Sequence, residues 1–157
     1  MRAWLGLGAN LGDPVATLRE AKTRLAALGR VSAVSSLYRT PPWGVEDQPP
    51  FVNAALALET SLDPDALLAE LKALERALGR VASTRWGPRA IDVDILDYEG
   101  VRRDEPALTI PHARLFVRAF ALVPLAEIEP AYAAARDALP PEDLAGVERI
   151  GPFEREG

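Results

Sequence analysis

Apolar and polar residues alternate along this chain in two periods, and the switches between them predict its elements. Residues 2–8 read as a first strand that runs into Gly8-Ala9-Asn10-Leu11-Gly12-Asp13-Pro14. Asp13 then suits a helix N-cap and Pro14 the first helical position. Val15, Leu18, Ala21, Leu25 and Leu28 recur at helical spacing, so the first helix is expected to reach Leu28 and stop at Gly29. Residues 31–38 read as a strand, 39–50 as a loop with four prolines, and 51–60 as another strand. Asp63 and Pro64 repeat the cap signal for a second helix over 64–78, closed by Gly79. A basic loop, 80–90, leads to a strand at 91–97 and a turn at Tyr98-Glu99-Gly100. Residues 112–128 are expected to be helical, opened by His112 and interrupted near Pro124. The Ala/Pro-rich remainder offers a short helix at 141–147 and a terminal extended piece. The order predicts an α+β fold with a ferredoxin-like βαββαβ core: a mostly antiparallel sheet, helices packed on one face, and a C-terminal helical extension. No repeat interrupts residues 1–157, which read as a single domain.

The strongest chemical signal is Arg85-Trp86-Gly87-Pro88-Arg89-Ala90-Ile91-Asp92-Val93-Asp94-Ile95. In a strand, side chains i and i+2 share a face, so Ile91, Val93 and Ile95 can enter a core while Asp92 and Asp94 leave it together. At about 3.3 Å per residue the carboxylates emerge roughly 6.6 Å apart. That spacing suits a pair of Mg²⁺ ions in a phosphoryl-transfer site, and flanking arginines suit phosphate oxygens. It equally suits the wet face of an edge strand. No nearby acidic cluster completes an all-protein cage, which favours Mg²⁺ over Ca²⁺.

Composition narrows the field. Zero cysteines exclude disulfides and cysteine nucleophiles, and one histidine excludes a His-rich zinc site. The net charge of −5 argues against a general nucleic-acid partner, so any phosphate site is a local basic patch on an acidic body. No apolar run is long enough for a membrane span, and no targeting pattern is present, so the expected setting is the cytoplasm and no membrane partner.

Other motifs leave alternatives open. Gly6-Leu7-Gly8-Ala9-Asn10-Leu11 lacks the third glycine of a dinucleotide fingerprint, and its glycines read as shaping the strand-to-helix turn. Asn10 is either an exposed turn residue or a ligand contact. The rings of Trp43, Phe51, Trp86 and Phe120, with the Asn53 amide, either anchor their own loops or hold a flat heterocycle. Lys72 and Glu75 read as a surface ion pair. Arg80, Arg85 and Arg89 form either a solvated loop or a triphosphate clamp. Arg114 and Arg118, four apart, read as one solvated helical face. Metal-dependent hydrolase and non-catalytic ligand-binding module are the competing functional classes.

Taken together, Gly-Ala-Asn-Leu-Gly-Asp, Tyr38-Arg39-Thr40-Pro41-Pro42, Phe51-Val52-Asn53-Ala54-Ala55, the Arg-Trp-Gly-Pro-Arg block and Ile110-Pro111-His112 closely resemble the 6-hydroxymethyl-7,8-dihydropterin pyrophosphokinases over residues 3 to 128. The resemblance implies transfer of the β,γ-pyrophosphoryl group of ATP to the pterin's hydroxymethyl oxygen, with ATP as co-substrate; a monomer is expected. It assigns two Mg²⁺ ions to Asp92 and Asp94, and catalytic roles to Arg80, Arg89, Asp92, Asp94 and His112. Lys72, Glu75, Arg80, Arg85, Trp86, Arg89, Ile95, Thr109 and His112 would meet the nucleotide. Thr40, Pro41, Trp43, Phe51, Asn53, Trp86, Arg118 and Phe120 would form the pterin slot. The chain departs from the family pattern at Ala82, where an arginine is frequent, at Ala113, where an aromatic is frequent, and at Phe51, where tyrosine is common.

Overall fold

The structure, a computed structural model, describes residues 1–41, 49–79 and 91–154. Its sheet comprises β1 (Arg2–Ala9), β2 (Arg30–Val34), β3 (Leu37–Thr40), β4 (Phe51–Glu59), β5 (Asp92–Tyr98) and, at the far end of the chain, Glu148–Gly151. From one edge the order is β5-β1-β4-β3 followed by the terminal strand, with β2 pairing β4 beyond β3. Every pairing is antiparallel. The order is consistent with a ferredoxin-like core. The expected strand 31–38 is two strands: Ser35 and Ser36 break it, and the Ser35 hydroxyl accepts the N–H of Ala55 at 2.9 Å in place of a ladder bond.

Helix α1 (Pro14–Leu25) and helix α2 (Pro64–Ala77) cover one face. Both start where the sequence places them. The Asp13 carboxylate accepts the N–H of Ala16 at 3.1 Å and that of Asp63 accepts the N–H of Ala66 at 2.8 Å, each satisfying a donor with no partner inside the helix. Helix α1 ends at Leu25 rather than Leu28, because the next N–H groups bond three residues back, Ala27 to Arg24 and Leu28 to Leu25. Leu18, Ala21, Leu25, Leu67, Leu71 and Leu74 meet Leu5, Leu7, Val52, Leu56, Val93 and Ile95 in the larger core.

The other face is not open, as a fold with helices on one face would leave it. Helix α3 (Ala119–Ile128) packs there on Ala55 and Leu96, and α4 (Ala133–Asp137) and α5 (Pro141–Ala145) follow it. The C-terminal extension is therefore only partly helical: its strand β8 (Glu148–Gly151) adds to β3 in the main sheet. A hairpin of β6 (Arg103–Glu105) and β7 (Leu108–Ile110) precedes the cis Ile110–Pro111 bond. The expected helix from His112 is not formed. His112 donates its backbone N–H to the Leu96 carbonyl at 2.8 Å, a 3-10 turn occupies Leu115–Val117, and Arg118 adopts an extended conformation before α3 begins. Pro124 lies inside α3 without ending it.

Candidate active site

Cross-strand register assembles the site. In antiparallel pairs, directly opposite residues share a face. Tyr38 opposes Asn53, Asn53 opposes Gly8, and Gly8 opposes Asp92, giving one row across four strands on the α3 side. The neighbouring row runs Ala55, Gly6, Asp94. Thr40 opposes Phe51 at the same end. Asp92 and Asp94 are half-buried, and Ile91, Val93 and Ile95 are buried on the opposite face, as alternation predicts.

Gly6 and Gly8 do not shape the turn. Both lie inside β1, and only Gly12, at φ 57°, supplies the left-handed conformation there. Their missing Cβ atoms let neighbouring side chains lie close over β1: a Cβ on Gly8 would stand 2.8 Å from Asn53 Oδ1, and one on Gly6 3.2 Å from Leu96. Asn53 is itself fixed, donating Nδ2 to Thr40 Oγ1 at 2.8 Å with both residues buried. Asn10 is neither exposed nor at a loop surface; it is buried and donates to the Pro49 carbonyl at 3.2 Å, tying the end of β1 to the chain leading into β4.

Two further elements approach this floor. Arg118 and Phe120 stand at the start of α3, the guanidinium 5.4 Å from the ring centroid. They do not share a helical face with Arg114, because the chain is extended at Arg118. The far end of α3 is held by Glu127, whose carboxylate accepts from the Ser36 N–H at 3.0 Å, the Ser36 hydroxyl at 2.9 Å and the Tyr38 hydroxyl at 2.5 Å. Burial, then this carboxylate, pushes the Tyr38 phenol well above its usual range. His112 lies near Asp94; burial lowers its pKa, the Asp94 charge opposes that, and Arg118 and Arg114 lower it further. Its Nδ1 accepts the Arg114 N–H at 3.2 Å, which leaves Nε2 as the protonated nitrogen of the neutral ring.

The remaining expected contacts divide. Lys72 and Thr109 lie outside the hydrophobic cores, Lys72 half exposed. Ile95 is buried on the helix side, so only its backbone remains for a ligand to meet. Glu75 is not a surface partner of Lys72: it is 3% exposed, accepts the Val93 N–H at 2.9 Å, and keeps Lys72 at 3.6 Å. Pro41 is exposed beside the end of β3, and Gly146 at the end of α5 approaches it. Trp43, Arg80, Ala82, Arg85, Trp86 and Arg89 lie outside the described residues. Among the described residues no group of three His, Cys, Asp or Glu side chains could hold a metal by itself. Among the described residues the donor set is the two carboxylates of Asp92 and Asp94, which fits Mg²⁺ that keeps waters and takes phosphate oxygens.

Known proteins match along most of the chain. The 7,8-dihydro-6-hydroxymethylpterin-pyrophosphokinase family model matches residues 4–130. A 2-amino-4-hydroxy-6-hydroxymethyldihydropteridine pyrophosphokinase of Methylorubrum extorquens is 50% identical, over 95% of this chain and 98% of its own. The Pseudomonas aeruginosa enzyme of the same name is 41% identical over 95% of this chain and 96% of its own. The fold also matches a Plasmodium falciparum HPPK-DHPS crystal structure, at a TM-score of 0.66 and 14% identity, over 87% of this chain and 45% of that longer one. With a pair of carboxylates on the strand beside a fixed amide, and this similarity over most of its length, the chain belongs to the 7,8-dihydro-6-hydroxymethylpterin-pyrophosphokinase family.

Proposed function

We propose that Asp92 and Asp94 hold two Mg²⁺ ions while this chain carries out its family's reaction. It transfers the pyrophosphoryl group of ATP to the hydroxyl of 6-hydroxymethyl-7,8-dihydropterin in folate biosynthesis, leaving AMP. The observation that carries the site assignment is the pair of rows on β1, which sets Asn53 and Asp92 either side of Gly8 and Ala55 and Asp94 either side of Gly6.

A flat pterin fits that floor. Asn53, oriented by Thr40, presents an amide to ring donors and acceptors, while Pro41, Trp43, Phe51, Trp86 and Phe120 supply apolar surface and Arg118 closes from α3. The hydroxymethyl group then lies toward the carboxylates of β5. Bound Mg²⁺ would neutralise phosphate charge and acidify the attacking hydroxyl. Asp92 or Asp94 receives the hydroxyl proton. Arg80 and Arg89 grip the phosphates, with Arg85, Lys72, Thr109, the Ile95 backbone and His112 along the nucleotide. No protein nucleophile is needed, since phosphoryl transfer rests on positioning and charge neutralisation.

Phosphorus NMR with ATP, Mg²⁺ and the pterin tests the chemistry. Equal accumulation of AMP and pterin diphosphate is expected; ADP would make the chain a simple kinase and sink the assignment. For the site, D94A should remain folded by circular dichroism yet lose about a hundred- to a thousandfold in kcat, the loss of several kcal/mol of charge stabilisation. Turnover at the parent rate would remove Asp94 from the metal site.

A further inference from the structure

Glu75 sits on the inner face of α2 beside Leu67, Leu71 and Leu74 and is 3% exposed. A carboxylate in such a place is held only by specific partners. One of them is the backbone of β5: Glu75 Oε2 accepts the N–H of Val93 at 2.9 Å. Val93 is the residue between Asp92 and Asp94. Strand β5 ends the sheet, with only β1 paired beside it among the described residues. The outward N–H groups of an end strand need acceptors from elsewhere, and a strand without them is free to twist and slip. A leucine at 75 would continue the apolar stripe of α2 but would leave the Val93 N–H without this acceptor.

We propose that Glu75 is a positioning residue for the two aspartates, anchoring the edge of β5 at the N–H of Val93, the residue between them. The anchor fixes the height and twist of the strand, and so the spacing and direction of both carboxylates. This inference rests on the assignment of Mg²⁺ to Asp92 and Asp94. It differs from a direct nucleotide contact, because the Oε2 atom is engaged with protein backbone before any ligand arrives.

The test uses the full chain with α,β-methylene ATP, whose α–β bridge cannot be broken. Mn²⁺ binding in that complex, by electron paramagnetic resonance, and kcat and KM, measured separately with ATP, are compared for the parent, E75L, E75Q and D94A. Loss of an outer partner of a metal ligand typically lowers metal affinity or turnover by about ten- to a hundredfold. E75L should show that loss in Mn²⁺ affinity and in kcat, with KM for the pterin little changed. E75Q, whose amide oxygen can still accept from Val93, should recover most of the metal affinity. If E75L fails to fold, E75D takes its place, since its shorter side chain withdraws the acceptor from Val93. Parent-like Mn²⁺ affinity in E75L or E75D overturns the proposal. So does an E75Q as impaired as E75L, which would make charge rather than anchoring the function. A defect confined to KM for ATP that disappears with 3′-deoxy ATP would make Glu75 a ribose contact. D94A separates the two levels: parent-like Mn²⁺ binding there would remove the metal assignment itself, whatever the Glu75 variants do.

Discussion

At the scale of single residues, the site depends as much on atoms left out as on groups supplied. Gly8 lies between Asn53 and Asp92, and a Cβ there would approach Asn53 Oδ1 to 2.8 Å. Overpacking of this kind costs about 1–3 kcal/mol, and here the amide that yields is one expected to read the pterin. G8A should therefore raise the pterin KM by about tenfold, each tenfold being about 1.4 kcal/mol, while binding of an ATP analogue by calorimetry stays at the parent value. An unchanged pterin KM would mean that Asn53 can turn aside without loss, and that the missing side chain at position 8 is incidental. The two glycines were visible in the sequence, but Gly6-Leu7-Gly8 reads there as the approach to a turn. Their alternation with Leu5 and Leu7 was the signal that they line one face of a strand. Asp92 and Asp94 carried the same period and were legible because their neighbours Ile91, Val93 and Ile95 are unmistakably apolar.

At the scale of elements, the position of α3 decides where Phe120 and Arg118 stand. The helix is pinned at its far end, where Glu127 accepts from Ser36 and from the Tyr38 hydroxyl, and Arg149 of β8 donates to the Ser36 hydroxyl at 2.9 Å. Hydrogen bonds to a charged group contribute about 1.5–3 kcal/mol, so E127A should lower stability by about 2 kcal/mol in urea unfolding. Because Tyr38 neighbours Asn53 across the sheet, the same variant should also weaken pterin binding. Stability lost with pterin affinity intact would show α3 held in place by its apolar face alone. None of this was readable beforehand. Helix capping was: Asp13-Pro14 and Asp63-Pro64 act locally, within one turn, and both occur as the sequence predicts. The break at Ser35-Ser36 and the turn after His112 involve partners well outside the local segment, Ala55 and Leu96.

At the scale of the whole molecule, an acidic chain of net charge −5 binds a polyanion. The favourable field must be local, from arginines and two metal ions, against an unfavourable body. The Debye length falls from about 10 Å at 0.1 M salt to about 3 Å at 1 M, so raising salt over that range should raise KM for ATP several-fold and leave KM for the uncharged pterin nearly unchanged. Equal responses of the two would argue against a charge-based nucleotide site. The same scale separates what the chain encodes locally from what folding adds. Period, caps and the Asp-x-Asp strand are local, so the sequence by itself determined the α+β class, the first two helices with their caps, the positions of the two carboxylates and, through its motifs, the family. Register is not local: only pairing β1 with both β4 and β5 sets Gly8 between Asn53 and Asp92. Burial of Glu75 on the amide of Val93, coverage of the second sheet face by α3, and the return of β8 to the edge of β3 were likewise decided by tertiary structure. Each is a contact between segments distant in sequence, where packing and the need to pair buried polar groups override local propensity.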